Sequence, residues 1–126
     1  MGFDVTKREL YTLIKVTSEK LDTNNAPELK SEVVVVNSQG EKNIVLDLTD
    51  CKYCDSSGLR AILVTNRLCE DAIGACIISG LQPDVESIFR ISMLHTVLLI
   101  TRNVEEAEEL LKKKATLTDE TVDNDL

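Results

Sequence analysis

The side chains best suited to chemistry lie in the segment CDSSGL at residues 54–59. This segment follows a short apolar run and precedes a predicted helix, so its serines fall at a helix start. The first amide groups of a helix lack partners within it, and the helix dipole is positive there. An exposed Ser56 or Ser57 could therefore carry a phosphate that this end stabilises. The alternative is structural: Asp55 or Ser56 caps the helix, and Gly58 permits close packing.

A second candidate is the pair Cys51 and Cys54, which forms a CxxC motif before the same helix. Near a helix N-terminus such a pair can act as a redox dithiol. A zinc site would need further ligands, but His95 is the only histidine, and Cys69 and Cys76 fall in apolar stretches. The pattern favours reduced, structural thiols and leaves redox chemistry as the competing interpretation.

Catalysis by acidic or histidine side chains has little support. Asp47, Asp50 and Asp55 could gather as Mg²⁺ ligands at the end of a strand, but the same spacing suits a strand end followed by a helix cap. No motif links His95 to a nucleophile, and the sequence contains no glycine-rich phosphate loop. We therefore expect a protein that is not an enzyme and needs neither a cofactor nor a metal ion.

Composition limits the partners. The 126 residues, 43% hydrophobic and 29% charged, suit one compact globular domain. A net charge of −8, with two Phe, two Tyr and no Trp, argues against direct contact with nucleic acid. No apolar run is long enough for a membrane span and no secretory signal is evident, so we expect a cytoplasmic protein without membrane insertion.

Apolar periodicity, together with the positions of glycine and proline, predicts strands that alternate with helices. This alternation is typical of an α/β domain with a mixed, mostly parallel sheet. The predicted elements are one or two strands over residues 3–16, a helix from Pro27 to near Gly40 that buries Ala26, Leu29, Val33 and Val36, a buried strand at 43–48, a helix at 56–70 that Gly74 ends, a buried strand at 75–79, a helix from Pro83, an apolar run at 97–100 and a helix at 104–114.

The last residues differ in composition from the rest of the chain. Residues 115–126 hold four acidic side chains, no basic ones and few apolar groups. Such a segment cannot bury enough apolar surface to offset the entropy lost on ordering. We therefore expect a domain over residues 1–114 and a disordered acidic tail over residues 115–126.

Two motifs in this order resemble a known family. The run IVLDL at residues 44–48, followed by YCDSSGL at 53–59, resembles a strand and loop of the STAS domains, the anti-sigma factor antagonists of bacterial partner-switching pathways. Leu21 and Asp22, followed by APEL at residues 26–29, resemble the family's other motif, an Asp four residues before Ala and seven before Leu. The similarity extends over roughly residues 3–112.

The resemblance implies a single STAS-type domain, with a sheet of about four to five strands and about four helices packed mainly on one side. It also implies that Ser56 is the phosphoacceptor, whereas Ser57 matches a serine that is usually not modified. The kinase would be the partner anti-sigma factor, a serine kinase of the histidine-kinase-like ATPase type, and a metal-dependent serine phosphatase would reverse the modification. The unphosphorylated protein would bind the anti-sigma factor and so release the sigma factor.

The expected partner-binding surface combines both motifs with the helix at residues 56–70. If Leu59, Leu63 and Val64 do not all fit against the sheet, one edge of this helix is an exposed apolar contact flanked by Arg60 and Arg67. The alternative is a helix buried on a wide face. The candidate binding residues are Asp22, Asp55, Ser56, Ser57, Gly58, Leu59, Arg60 and Leu63. The resemblance and the modest size favour a monomer. An alternative role is a STAS subunit of another assembly, such as a lipid-transport complex or a stress-signalling scaffold, that is not switched at Ser56.

Overall fold

The protein is described here by a computed structural model, which covers the backbone of residues 2–124 and the side chains of residues 2–115. Strands and helices alternate along most of this length, as the sequence predicts. In chain order the elements are β1 (Phe3–Lys7), β2 (Thr12–Val16), β3 (Lys20–Leu21), α1 (Ala26–Ser38), β4 (Ile44–Asp47), β5 (Tyr53–Cys54), α2 (Ser56–Asp71), β6 (Cys76–Ser79), α3 (Pro83–Ile91), β7 (Leu99–Thr101) and α4 (Val104–Asn124), with a short 3-10 turn at Leu94–Thr96.

The central sheet of the described residues has five strands in the order β1-β2-β4-β6-β7. The one or two strands predicted over residues 3–16 are two, β1 and β2, which run antiparallel as a hairpin, and β2, β4, β6 and β7 are mutually parallel. Parallel neighbours need a crossover connection, and α1, α2 and α3 supply the three crossovers. The predicted α/β class with a mixed, mostly parallel sheet is therefore confirmed.

The sheet is covered on both faces. On one face, side chains of β2, β4 and β6 such as Ile14, Leu46 and Ile78 form a core with α1, α2 and α3. On the other face, Val45 and Ile77 pack with Ala107 of α4. Helices thus lie mainly on one side, as expected, and α4 covers the opposite side. Complete burial of each large apolar side chain contributes about 1.5–3 kcal/mol, so these two layers hold the fold together.

Helix α1 follows its predicted pattern. The four side chains expected to face the core are buried, and the structure places a proline in its first turn. The helix contacts α2, since both pack on the same face of the sheet. Val34 and Val35, between the buried positions, are about half exposed. This arrangement fixes the loop that precedes α1, which belongs to the candidate site.

One small element was missed. β3 and β5 form a two-stranded parallel sheet, in which Lys20 pairs with Tyr53 and Leu21 with Cys54. The sequence predicts no strand at either position, because two residues are too few to show an apolar period. The pairing brings the two family-like motifs together at one end of the molecule.

Helix α4 continues past residue 114 to Asn124. The side chains of residues 116–126 lie outside the described part of the chain, so the division into a domain over residues 1–114 and a disordered tail over residues 115–126 stays a prediction. Among the described residues, no helix is both long enough and apolar enough to cross a membrane.

Candidate functional site

The β3–β5 sheet positions the candidate site. Asp22 follows β3 and Asp55 follows β5, so the register of these parallel strands sets the two residues side by side. The Asp55 amide continues the pairing by donating to the Leu21 carbonyl oxygen at 3.2 Å. The loop at residues 22–25 and the start of α2 are therefore neighbours although about thirty residues separate them, as the resemblance implied.

Asp55 is the N-cap of α2. Its backbone is extended, and its Oδ1 accepts a hydrogen bond from the Gly58 amide at 2.9 Å. This bond satisfies one of the amide groups that have no partner within the helix. The structural interpretation of the motif is thus correct for Asp55, whereas Ser56 is the first residue of the helix and leaves its side chain exposed.

The second carboxylate oxygen of Asp55 binds Thr23. The Thr23 amide donates to Asp55 Oδ2 at 3.1 Å, and the Thr23 hydroxyl lies 3.2 Å from the same oxygen. The Gly58 amide, followed by the amide and hydroxyl of Thr23, lowers the pKa of Asp55. Asp55 is therefore a carboxylate that ties α2 to the loop at residues 22–25.

Thr23 also contacts Ser57, with 3.2 Å between the two hydroxyl oxygens. Sequence reasoning did not identify Thr23. Its partners lie 32 and 34 residues away, and no local pattern reveals such a contact. The adjacent serines consequently differ: Ser57 is half-buried and bonded to Thr23, whereas Ser56 is exposed.

Gly58 allows α2 to lie directly against β3, as predicted. A Cβ atom at this position would overlap the Leu21 carbonyl oxygen and would lie 2.6 Å from Cys54 Sγ. Only glycine fits such a close approach of backbone to backbone. Gly58 is therefore buried beneath the site and determines how close the serines at the start of α2 lie to β3 and β5.

Asp22 shapes the neighbouring loop. Its Oδ1 accepts from the Asn24 amide at 3.0 Å, and its own amide donates to Asn25 Oδ1 at 2.8 Å. Asn25 in turn donates to the Lys20 carbonyl oxygen at 2.8 Å, which fastens the loop to β3. Asp22 is half-buried and directly precedes Thr23, whose hydroxyl contacts Ser57. Asn25 was not singled out from the sequence.

The outer face of α2 carries an exposed apolar contact and is not part of a wide buried face. Leu59 and Val64 are half-buried, and Leu59 packs against the edge of the core. Leu63 is 36% exposed, between the exposed side chains of Arg60 and Arg67. Because residues 56, 60, 63 and 67 recur at spacings of three and four, they form one stripe along the helix. The serine, an apolar contact and two cations thus share a face.

The CxxC cysteines are poorly suited to redox chemistry. Cys51 and Cys54 are both buried, and the Cys51 thiol donates to the Tyr53 carbonyl oxygen at 3.2 Å. Burial raises the pKa of both thiols, that of Cys54 to about 12. A thiolate is the reactive form, so both groups are held in the unreactive thiol form at neutral pH. Cys69 and Cys76 are likewise free and buried, as the sequence predicted.

The three acidic residues considered as Mg²⁺ ligands have separate partners. Asp47 Oδ1 accepts from the Thr49 amide at 3.0 Å, Asp50 pairs with Lys15 at 3.3 Å, and Asp55 caps α2. Within the part of the chain that the structure describes, no three His, Cys, Asp or Glu side chains lie close enough to hold a metal ion.

Known proteins share sequence similarity and fold with this chain. The sequence profile of the STAS domain family matches residues 3–107. BtrV of Bordetella bronchiseptica, named a candidate anti-sigma factor antagonist, is 27% identical over 111 residues, covering 79% of this chain and 96% of BtrV. A Thermotoga maritima protein, described as a candidate anti-sigma factor antagonist, has a TM-score of 0.79 at 21% identity, covering 87% of this chain and 94% of that one. Phosphorylated SpoIIAA of Bacillus has a TM-score of 0.68 at 19% identity, covering 86% of this chain and 98% of SpoIIAA. At these identities the structural likeness shows the fold.

Proposed function

This chain belongs to the STAS domain family, and on that premise we propose that it is an anti-sigma factor antagonist switched by phosphorylation of Ser56. The observation that carries the proposal is the exposed Ser56 side chain at the first residue of α2, directly after the cap residue Asp55. Support also comes from BtrV, which is named a candidate anti-sigma factor antagonist. SpoIIAA, which has the same fold, exists in a phosphorylated form.

In the unphosphorylated state the surface around Ser56 binds the anti-sigma factor. Leu63 offers an exposed apolar contact, and Arg60 and Arg67 offer cations that favour an acidic partner surface. Gly58 and the Asp55 cap hold this face of α2 at a fixed position relative to the loop at residues 22–25. A surface that is already ordered loses little entropy on binding, so it suits tight association.

Phosphorylation changes the charge of this surface. A phosphate on Ser56 adds a charge of about −1.5 to −2 at neutral pH. Asp55 is already ionised beside it, and Asp22 lies on the adjacent loop. The dense negative charge repels acidic groups of the partner and must be desolvated on binding, and each loss of about 1.4 kcal/mol weakens binding tenfold. The fold itself need not change.

The partner in this proposal is a serine kinase of the histidine-kinase-like ATPase type, and a metal-dependent serine phosphatase removes the phosphate. The protein itself is a monomeric binding module that performs no catalysis and affects transcription by releasing the sigma factor. Since the kinase consumes ATP, the proposed switch operates in the cytoplasm.

The test compares Ser56→Ala and Ser56→Glu with the wild type as baits in a lysate of the source organism, with ATP present. We expect the wild type and Ser56→Ala to retain a kinase-like ATPase, and Ser56→Glu to bind the purified ATPase at least about tenfold more weakly, which corresponds to about 1.4 kcal/mol. Ser92→Glu is the matched control, because it adds the same charge at an exposed serine that follows α3. The recovered wild type should carry one phosphate on Ser56.

Equal binding of the ATPase by the Ala and Glu variants would contradict the switch. If all baits instead retain the same transport or scaffold proteins and no phosphate is found, the role is that of a STAS subunit of another assembly. The fold does not distinguish these roles, so the phosphate on Ser56 is the deciding observation.

A further inference from the structure

We propose that Thr23 assigns different roles to the two adjacent serines, holding the Ser57 hydroxyl in place and leaving Ser56 as the free phosphoacceptor. This inference rests on the function proposed above and concerns the selectivity of the same site. The Thr23 hydroxyl lies 3.2 Å from both Asp55 Oδ2 and Ser57 Oγ, so it bridges the loop at residues 22–25 and the first turn of α2.

The direction of these hydrogen bonds follows from the donors available. An ionised carboxylate only accepts, so the Thr23 hydroxyl donates its proton to Asp55 Oδ2. The Thr23 oxygen is then the acceptor for Ser57, whose hydroxyl donates to it across 3.2 Å. A directed chain therefore runs from Ser57 through Thr23 to Asp55, and the hydroxyl protons of Ser57 and Thr23 are both engaged.

These hydrogen bonds make the two serines differ as phosphoacceptors. Phosphoryl transfer forms a bond between the serine Oγ and the γ-phosphorus of ATP, breaks the bond to ADP, and passes the hydroxyl proton to a base of the kinase. At Ser57, the hydroxyl would first have to leave Thr23, and the new phosphate would lie beside the Asp55 carboxylate. Ser56 is exposed, and within the described residues its hydroxyl lies outside this chain of hydrogen bonds. The kinase therefore modifies Ser56 alone.

A substitution can remove the hydroxyl of Thr23 without moving its backbone. The Thr23 amide donates to Asp55 Oδ2 at 3.1 Å independently of the side chain, so this bond survives in Thr23→Val. Valine has nearly the shape of threonine and lacks only the hydroxyl. Thr23→Ser retains the hydroxyl and serves as the matched control.

The first measurement maps phosphate on the two serines by tandem mass spectrometry, after incubation with the kinase-like ATPase and ATP. In the wild type and Thr23→Ser we expect phosphate on Ser56 only. In Thr23→Val the ratio of phospho-Ser57 to phospho-Ser56 should rise at least tenfold. An unchanged ratio in Thr23→Val would overturn the assignment.

The second measurement needs no kinase. NMR side-chain couplings should show one Ser57 rotamer in the wild type and Thr23→Ser, but an average over rotamers in Thr23→Val, while Ser56 averages in all three. The pKa of Asp55 should also rise in Thr23→Val, because one donor to the carboxylate is lost. If the Ser57 side chain averaged over rotamers in the wild type, Thr23 would not be holding its hydroxyl in place. The proposal would then be refuted even if phosphate were confined to Ser56. If neither serine accepts phosphate, the proposed function fails. The NMR couplings alone then decide whether Thr23 holds the Ser57 hydroxyl in place.

Discussion

Gly58 is the position in the site with the least room for a side chain. The backbone of α2 passes so close to β3 that a Cβ would overlap the Leu21 carbonyl oxygen and approach Cys54 Sγ to 2.6 Å. We expect Gly58→Ala to lower the free energy of unfolding by about 1–3 kcal/mol, the usual cost of forcing an extra methyl group into a packed interior. Urea denaturation followed by circular dichroism measures this loss.

Gly2→Ala is the control for that substitution. A Cβ at Gly2 would lie 3.7 Å from Ser18 Cβ and 3.8 Å from Asn25 Nδ2, which are ordinary contact distances. The free energy of unfolding of Gly2→Ala should therefore stay within about 0.5 kcal/mol of the wild type. If Gly58→Ala were equally mild, α2 would have room to move away from β3, and the rigid placement of the serines would be refuted.

At the residue level, the sequence reveals local roles but not the contacts between distant segments. Asp55 as the helix cap and Gly58 as the close-packing residue could both be predicted, because capping and packing depend on neighbours within a few positions. The interaction of Thr23 with Asp55 could not, since it depends on how β3 and β5 align. Asn25, which fastens the same loop, was missed for a related reason: its bond to Lys20 exists only in the folded turn.

Among the secondary-structure elements, the end of α2 departs from expectation. The sequence predicts that Gly74 ends this helix, but it is Ile73 that adopts the left-handed backbone conformation there, with φ 61°. The Gly74 amide then donates to the Cys69 carbonyl oxygen at 2.7 Å, which closes the last turn. Gly74 is required for another reason, because a Cβ on it would overlap the Lys42 carbonyl oxygen.

Ile73 is a costly residue for this position. A left-handed backbone costs a residue with a Cβ about 1–2 kcal/mol, and the Ile73 side chain gains little from packing because it is 87% exposed. Ile73→Gly should raise the free energy of unfolding by about 0.5–1 kcal/mol, after allowance for the extra freedom of glycine in the unfolded chain. Thermal and urea denaturation would show the gain.

Ile73→Ala is the matched comparison, because alanine keeps the Cβ that causes the strain. It should therefore gain much less than glycine. Equal stabilities of the two variants would mean that the exposed apolar surface, and not the backbone conformation, determines the cost of Ile73.

The elements themselves were predictable where their apolar period was long enough. α1 buries the four predicted side chains, and β4 and β6 appear as the expected buried strands. β3 and β5 have two residues each and gave no period, although they position the whole site. Short elements such as these are stabilised by the contacts around them, which a single sequence does not display.

For the whole molecule, the sequence favoured helices on one side of the sheet, and α4 is the helix on the other side. A sign of this was present, because β4 is apolar at Ile44, Val45 and Leu46 in succession. A strand exposed to water on one face alternates between apolar and polar residues, whereas a continuous apolar run needs cover on both faces. Ala107 and Leu111 of α4 provide that cover.

The burial of all four cysteines leads to a prediction for the folded molecule. Burial shields all four thiols from a reagent in solution. The pKa of Cys54, raised to about 12, also keeps its thiolate fraction at pH 7 on the order of 10⁻⁵. We expect a disulfide reagent such as DTNB to leave the native protein unlabelled over minutes and to label four thiols in guanidinium chloride. The absorbance of the coloured thiolate that DTNB releases gives the number of thiols that have reacted.

Ser92→Cys provides the positive control, since residue 92 is exposed and its thiol should react at once in the folded protein. Rapid labelling of Cys51 or Cys54 in the native wild type would instead restore the redox interpretation of the CxxC motif. Slow labelling at the rate of unfolding would support the assignment of all four as core thiols.

The pairing of β3 with β5 determines when, during synthesis of the chain, the candidate site can form. Lys20 and Leu21 leave the ribosome well before Tyr53 and Cys54, so the loop at residues 22–25 has no fixed place until the later strand has been made. Gly58, which determines how close the serines lie to β3 and β5, is made later still. Under the function proposed above, a kinase or partner that contacts both the loop and the start of α2 can engage only chains whose synthesis has passed that helix. Nascent and truncated chains would not compete for the partner, and recognition would also serve as a check of folding.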